Sequence, residues 1–213
     1  MWNRRTRRPA GFTLVELLVV ISIIGLLVTI LVPVVNTARD QAELTRSTGW
    51  VQTLGAGCDL YWQDENNYYP GQQYPDELAG NGGVYTGSQY LVMALQPKGY
   101  APFENSDIIE PKRTALDGTT QIGAVSDRAR SPEPVLYYPS RKGVTGLDQY
   151  KYGDNSAHTP SENEGAFTAF ITDNRWETGQ NSDTPYNPGA FLIIARGLDE
   201  AYFTEDSPTY PNW

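Results

Sequence analysis

The chain has 213 residues, enough for one domain or one domain with appendages, and only 39% of them are apolar, below the roughly 45–50% of ordinary soluble domains. The net charge is −9, yet Arg4, Arg5, Arg7 and Arg8 put four positive charges in the first ten residues, leaving 12 basic and 25 acidic side chains for residues 11–213. That acidity excludes a basic nucleic-acid-binding module, because affinity for phosphate comes mostly from Lys and Arg, and no nucleic-acid partner is expected.

The apolar residues are concentrated at one end. Residues 17–38 carry no charged side chain, residues 17–32 are mostly Leu, Val and Ile, and the mean hydropathy of the chain is still only −0.46. A plain cytosolic globule is thereby excluded. A run of this length can cross a hydrocarbon core of about 30 Å as a helix. Arginines before the run, and no Lys or Arg again until Arg39, favour a cytoplasmic N-terminus with the bulk of the chain outside. An ordinary secretory signal peptide has an apolar core of about 7–15 residues and a small-x-small cleavage site. This run is longer, and its far end, Pro33-Val34-Val35-Asn36-Thr37-Ala38, offers no clean Ala-x-Ala. A generic membrane anchor explains the length but not Glu16. A carboxylate there costs about 2.5–3.5 kcal/mol at the bilayer centre, less near the interface, and needs a partner.

The stretch Gly11-Phe12-Thr13-Leu14-Val15-Glu16-Leu17-Leu18-Val19-Val20-Ile21 resembles the junction of type IV pilins and type II secretion pseudopilins. The resemblance implies cleavage by a membrane prepilin peptidase after Gly11 and methylation of the new N-terminal residue, Phe12. It further implies that Glu16 neutralises the N-terminal amine of a neighbouring subunit. Electrostatics agrees: opposite charges attract strongly in a low dielectric, whereas either one alone is expensive there. Pro33, late in the run, matches a helix-weakening position of these proteins and is expected to kink the helix by removing a backbone donor.

Beyond Asn36 the helix is expected to continue to about Gln63, about 78 Å in all if it begins at Phe12. Val51, Leu54, Cys58 and Tyr61 recur at helical spacing and form one apolar stripe, to be covered by the head. Arg39 with Glu43, and Glu43 with Arg46, are spaced as ion pairs on the wet side, while Gly49, Gly55 and Gly57 argue against perfect regularity. The segment from Asp59 to Pro70 resembles the end of the long helix in the major pseudopilin. Asn66 and Asn67 can turn left-handed there, and Pro70 forbids further helix.

Residues 71–86 read as a loop, and Gln89 to Leu95 as a short second helix ended by Pro97 and Gly99. Residues 101–131 show little periodicity. Short strands are predicted at Val135–Tyr138, Ala166–Thr172 and Ala190–Ala195, with a loop over 173–189. Strands following a long helix predict an α+β head: a short antiparallel sheet packed on a helical spine, the pilin fold. Tyr68, Tyr69, Tyr74, Tyr85 and Tyr90 lie close together in sequence and read as packing in a core short of Leu and Ile rather than as a binding patch.

In the major pseudopilin, the last strand leads into a Gly-x-Asp-Gly loop and an acidic stretch that hold calcium. Gly197 and Asp199 match the loop and Glu205-Asp206 the stretch, while Glu200 and Phe203 stand where glycines are expected. By that resemblance Asp199, Glu205 and Asp206 are candidate calcium ligands, helped by loop carbonyls. Otherwise the segment is an acidic surface turn.

No enzyme signature is present. One cysteine, Cys58, allows no internal disulfide, and together with the one histidine, His158, it cannot make an ordinary zinc site. Neither a G-x-S-x-G, a P-loop nor a G-x-G-x-x-G pattern occurs. The chain is therefore expected to divide into a leader (1–11), a transmembrane assembly helix (12–38) and a periplasmic head (39–213). Its expected role is that of a structural subunit of a type II secretion pseudopilus in the inner membrane, not an enzyme. Expected partners are the prepilin peptidase, other copies or pseudopilins, and the inner-membrane secretion platform. A type IV or minor pilin for adhesion, motility or DNA uptake, and a membrane-tethered binding protein, are the alternatives.

Overall fold

The computed structural model describes residues 12–109, 122–173 and 183–211 and divides the chain into two compact units, residues 1–41 and 42–213. Helix α1 runs from Leu14 to Asp64. In the first unit its apolar side chains are exposed throughout, from Leu14 at 78% to Val35 at 37%. The hydroxyls there bond back along the helix: Ser22 Oγ to the Leu18 carbonyl and Thr29 Oγ1 to that of Gly25, both at 2.8 Å, and Thr37 Oγ1 to that of Pro33 at 3.1 Å. No hydroxyl donor of this stretch is left unpaired for an apolar medium to penalise. The helix carries Pro33 inside it without interruption.

In the second unit α1 is the spine of a packed head. The expected stripe is there, with Val51, Leu54 and Cys58 fully buried and Tyr61 partly so, and Trp50 is buried beside it. The Tyr210 ring lies so close to Gly55 that a Cβ on that residue would sit 2.4 Å from it, so glycine here is a packing requirement. Glu43 does not pair with Arg46; its Oε1 accepts the Arg130 backbone N–H at 2.7 Å. The helix ends as expected, with Asn66 and Asn67 both left-handed (φ 52° and 61°), and Lys98 and Tyr100 bond to Glu65 and Asp64 at its last turn.

Helix α2, Gly87–Leu95, begins two residues before the expected Gln89 because Thr86 caps it. The Thr86 hydroxyl accepts the Gln89 N–H at 3.3 Å and the Gln89 side chain accepts the Thr86 N–H at 2.9 Å, a reciprocal capping box. Strands β1, Ile108–Ile109, and β2, Ala124–Val125, form a small antiparallel ladder in the region where no periodicity was visible. The main sheet is antiparallel in the order β3 (Leu136–Pro139), β4 (Phe191–Ile194), β5 (Thr209–Tyr210). Two of its strands match the expected ones; β5 was not foreseen.

Of residues 166–172, expected as a strand, 166–171 belong instead to helix α3, Glu164–Ile171, and only Thr172 is extended, in a bridge with Pro185. Their β-branched and aromatic content misleads, because the burial follows a helical period. Phe167 and Ile171, four apart, are buried, while Ala169 between them is exposed. Asn163 starts the helix by accepting the Ala166 N–H at 2.9 Å. Of the expected loop over 173–189, residues 174–182 lie outside the described residues.

The sheet separates two cores. Tyr137, Phe191 and Ile193 face α1 and α2, whereas Leu136, Tyr138, Leu192 and Ile194 face α3, Tyr150 and Tyr202. Because β3 and β4 are buried on both faces, both strands read as continuous apolar runs. The tyrosines pack as expected, save one: Tyr90 is buried, Tyr69 lies between Trp62 and Phe191 (6.2 and 4.8 Å between ring centres), Tyr85 meets Tyr90 edge-on, and Lys142 sits over Tyr68. Tyr74 is exposed.

Candidate functional site

Two groups of candidate residues can be followed into the structure. At the N-terminus Gly11 and the leader lie outside the described residues, and Phe12 is exposed, one residue before the cap of α1. Thr13 and Glu16 form a capping box. The Thr13 N–H and hydroxyl both donate to Glu16 Oε2 at 2.8 Å, and the Glu16 N–H donates to Thr13 Oγ1 at 3.2 Å. The carboxylate is thus held at the mouth of the helix, where the positive end of the helix dipole favours it. Both bonds to the carboxylate use one oxygen, Oε2; Oε1 is bound to none of the described residues. The sequence contained the signal for this arrangement, Thr13-x-x-Glu16 before an apolar run, and the reading of Glu16 as an isolated charge passed over it. Behind it, α1 is long and apolar enough to cross a membrane, with mean hydropathy 3.0 over its most apolar window.

The second group is the loop after β4. Asp206 Oδ2 accepts the Leu198 N–H at 2.7 Å, Asp199 Oδ1 accepts the Ala201 N–H at 3.0 Å, and the Thr204 hydroxyl lies 2.9 Å from Asp206 Oδ1 and 3.3 Å from Asp199 Oδ1. Both carboxylates crowd over Gly197, where a Cβ would stand 2.5 and 3.0 Å from them. Glu200 and Phe203 adopt the left-handed conformation expected of glycines at these places (φ 61° and 63°). The Phe203 ring packs on Phe167 and Phe170, burial that offsets the backbone strain. Two of the three expected ligands, Asp199 and Asp206, therefore converge. Glu205 is exposed, and among the described residues no three His, Cys, Asp or Glu side chains are placed to share a metal ion. The loop as it stands closes on its own hydrogen bonds, which suits calcium only in part.

Cys58 is buried and unpaired, and burial pushes its thiol well above the usual range. His158 lies 2.9 Å from the Thr86 hydroxyl, and burial pulls it down to about 4, so it is neutral at ordinary pH.

Comparison with known proteins bears on the first group. The family described as "Prokaryotic N-terminal methylation motif" matches residues 6–32. The chain is 40% identical over 67 residues to the type II secretion system core protein G of Pseudomonas aeruginosa, covering 32% of this chain and 46% of that one. It is 35% identical over 72 residues to the protein of the same name from Aeromonas hydrophila (34% and 50% covered). To the type IV wide pilus major component of Thermus thermophilus it is 38% identical over 66 residues (31% and 50% covered). The chain thus spans about half the length of the curated relatives it matches. No solved structure matches it.

Proposed function

We propose that this chain, whose N-terminal third is similar to type II secretion pseudopilins and a type IV pilus component, is a structural, non-enzymatic subunit of a type II secretion pseudopilus. In this reading a prepilin peptidase cuts after Gly11 and the new N-terminus, Phe12, is methylated. The subunit waits in the inner membrane with its head in the periplasm and then enters a filament that works with the inner-membrane secretion platform.

The observation that carries the proposal is the exposed apolar stretch of α1 from Leu14 to Ala38, whose one charge, Glu16, is oriented and half-used. The exposed side chains have no partner within their own unit, so lipid or the helices of other copies must cover them. The free Oε1 can accept the Phe12 amine of a neighbour while Oε2 keeps its bonds to Thr13. Two charges are then paired in a low dielectric, which favours the assembled state over separate subunits. Likeness to a type IV wide pilus component supports a second reading, a type IV pilin, which uses the same junction and helix.

Mass spectrometry of the membrane-bound protein tests the processing step: a mature chain beginning at methylated Phe12 is expected, and an intact Met1 would refute it. Deleting the gene separates the two filament readings. Loss of protein secretion with surface pili intact supports the pseudopilus, and the converse supports the pilus.

A further inference from the structure

Packing identical heads side by side raises an electrostatic problem, since residues 11–213 carry 25 acidic side chains against 12 basic ones. Most cations of the described head are already engaged. Arg141 meets buried Asp154 at 2.6 Å, Arg128 forks onto Asp107 at 2.7 and 2.8 Å, Arg196 donates to the Ser131 carbonyl at 2.7 Å, and Lys98 pairs with Glu65. The side chains of Arg46, Arg130 and Lys151 are exposed and bond to none of the described residues, and of these Arg130 stands on a loop of its own.

Arg130 sits on a loop that is held rigidly. Asp127 closes it, with its N–H on the Glu133 carbonyl at 2.9 Å and its Oδ1 accepting the N–H groups of Ala129 and Glu133 at 3.1 and 3.2 Å. Arg128 pins it to the spine, its guanidinium 3.6 Å from the Trp50 ring centre. The Arg130 N–H is tied to Glu43. The loop therefore presents one free guanidinium at little further cost in backbone entropy.

Elsewhere on the head, two adjoining clefts of about 750 and 470 Å³ share Asp148, Tyr150 and Glu164; Asp183 lines the smaller one and Lys151 the larger, so the joined groove holds three carboxylates against one cation. All three carboxylates are exposed and none bonds through its side chain to the described residues. The half-buried Tyr152 supplies an aromatic wall to the larger cleft, a surface on which a guanidinium stacks well, while Tyr150 beneath it is buried. The clefts share no residue with the surface formed by Arg46, Arg128 and Pro132 beside the Arg130 loop.

We propose that the Arg130 loop of one head docks into the Asp148–Glu164–Asp183 groove of the next copy, a contact that rests on the filament reading above. Knob and groove are different patches of one surface, so each docked copy leaves a free groove and a free knob. Such a heterologous contact propagates as an open helix instead of closing as a dimer. It also brings a cation to the acidic face at each step, offsetting repulsion between heads and setting their register.

The test uses the full-length protein in its own membrane. Arg130→Glu, and separately Asp148→Lys with Glu164→Lys, are each expected to cut sheared filament yield about tenfold at unchanged protein level, and combining them in one chain is expected to restore most of it. A combination no better than the single charge reversals would overturn the proposal. A second arm does not need filaments. Differently tagged copies carrying Arg130→Cys and Glu164→Cys are expected to cross-link through a short bis-maleimide, while Arg130→Cys with Arg46→Cys, which lies on the surface that shares no residue with the groove, is not; Cys58 is buried and does not compete. Equal cross-linking of both pairs, or none, would also overturn it. Absence of filaments from the wild-type chain would count against the filament reading, and the cross-link would still decide the contact.

Discussion

The first unit and the head treat apolar surface in opposite ways. Leu14, Leu26 and Ile30 are exposed by 78, 65 and 61%, whereas Leu54, Leu91, Leu136 and Ile193 are exposed by 0%. The head satisfies its apolar residues internally, in two cores on either side of one sheet. The first unit leaves its own to the surroundings. Charges divide the same way. In the head, the buried Asp154 carboxylate has the Arg141 guanidinium and the Gly80 N–H on its Oδ1, so its charge has a counter-charge within the chain even though its Oδ2 is left without a partner. In the first unit Glu16 has only the cap it makes with Thr13 and keeps one oxygen free. A region whose satisfaction is internal provides stability, and a region whose satisfaction is external provides assembly.

Glu16→Ala should separate the two most sharply. Filament formation is expected to be abolished while the melting of the head is unchanged; a lowered head melting temperature would blur the division. Phe191→Ala is the reverse experiment. Phe191 contacts Tyr69, Tyr137 and Tyr210, so its loss should cost the head about 3–5 kcal/mol in denaturant titration, with membrane insertion unaffected.

Asp127 offers a test by pH. Burial pushes its carboxyl up to about 6 from an ordinary 3.8, against two backbone N–H bonds that pull it down. The folded head therefore holds this proton more tightly than the unfolded chain does. The stabilisation from this group is full below about pH 4 and is lost as pH rises through about 6, an effect on the order of 2–3 kcal/mol. Unfolding titrations of the wild type and Asp127→Asn should show that slope only in the wild type. The smallest effect is expected at the cap of α3: Asn163→Ala should cost about 1 kcal/mol, measured by thermal melting. A strand at 166–172 would not feel that change.

What could be read from the residues in order was whatever depends on neighbours in sequence. The apolar run, the junction around Gly11 and Phe12, the stripe Val51–Leu54–Cys58 and the left-handed Asn66 and Asn67 are all local patterns. The segment 166–172 was misread because Phe, Ile and Thr suit a strand by composition, and only its contact with Tyr138 and Phe203 reveals which residues face inward. Strand β5, two residues long, is too short to leave a period and exists because β4 offers it a free edge. The calcium candidates fared in the same way. The left-handed turns at Glu200 and Phe203 follow the expected loop, while the position of Glu205 apart from Asp199 and Asp206 could be known only once the chain was folded.

By itself the sequence determined that this protein has one membrane-length helix with a single charge at its mouth, since helix propensity and hydrophobicity act over a few residues. Only the tertiary structure decided how the head closes, with Trp50 against the 126–133 loop, Arg141 on Asp154 and two cores divided by one sheet. Contacts of the head join residues as many as 157 apart in the chain, and no local pattern records the cost or gain of bringing them together.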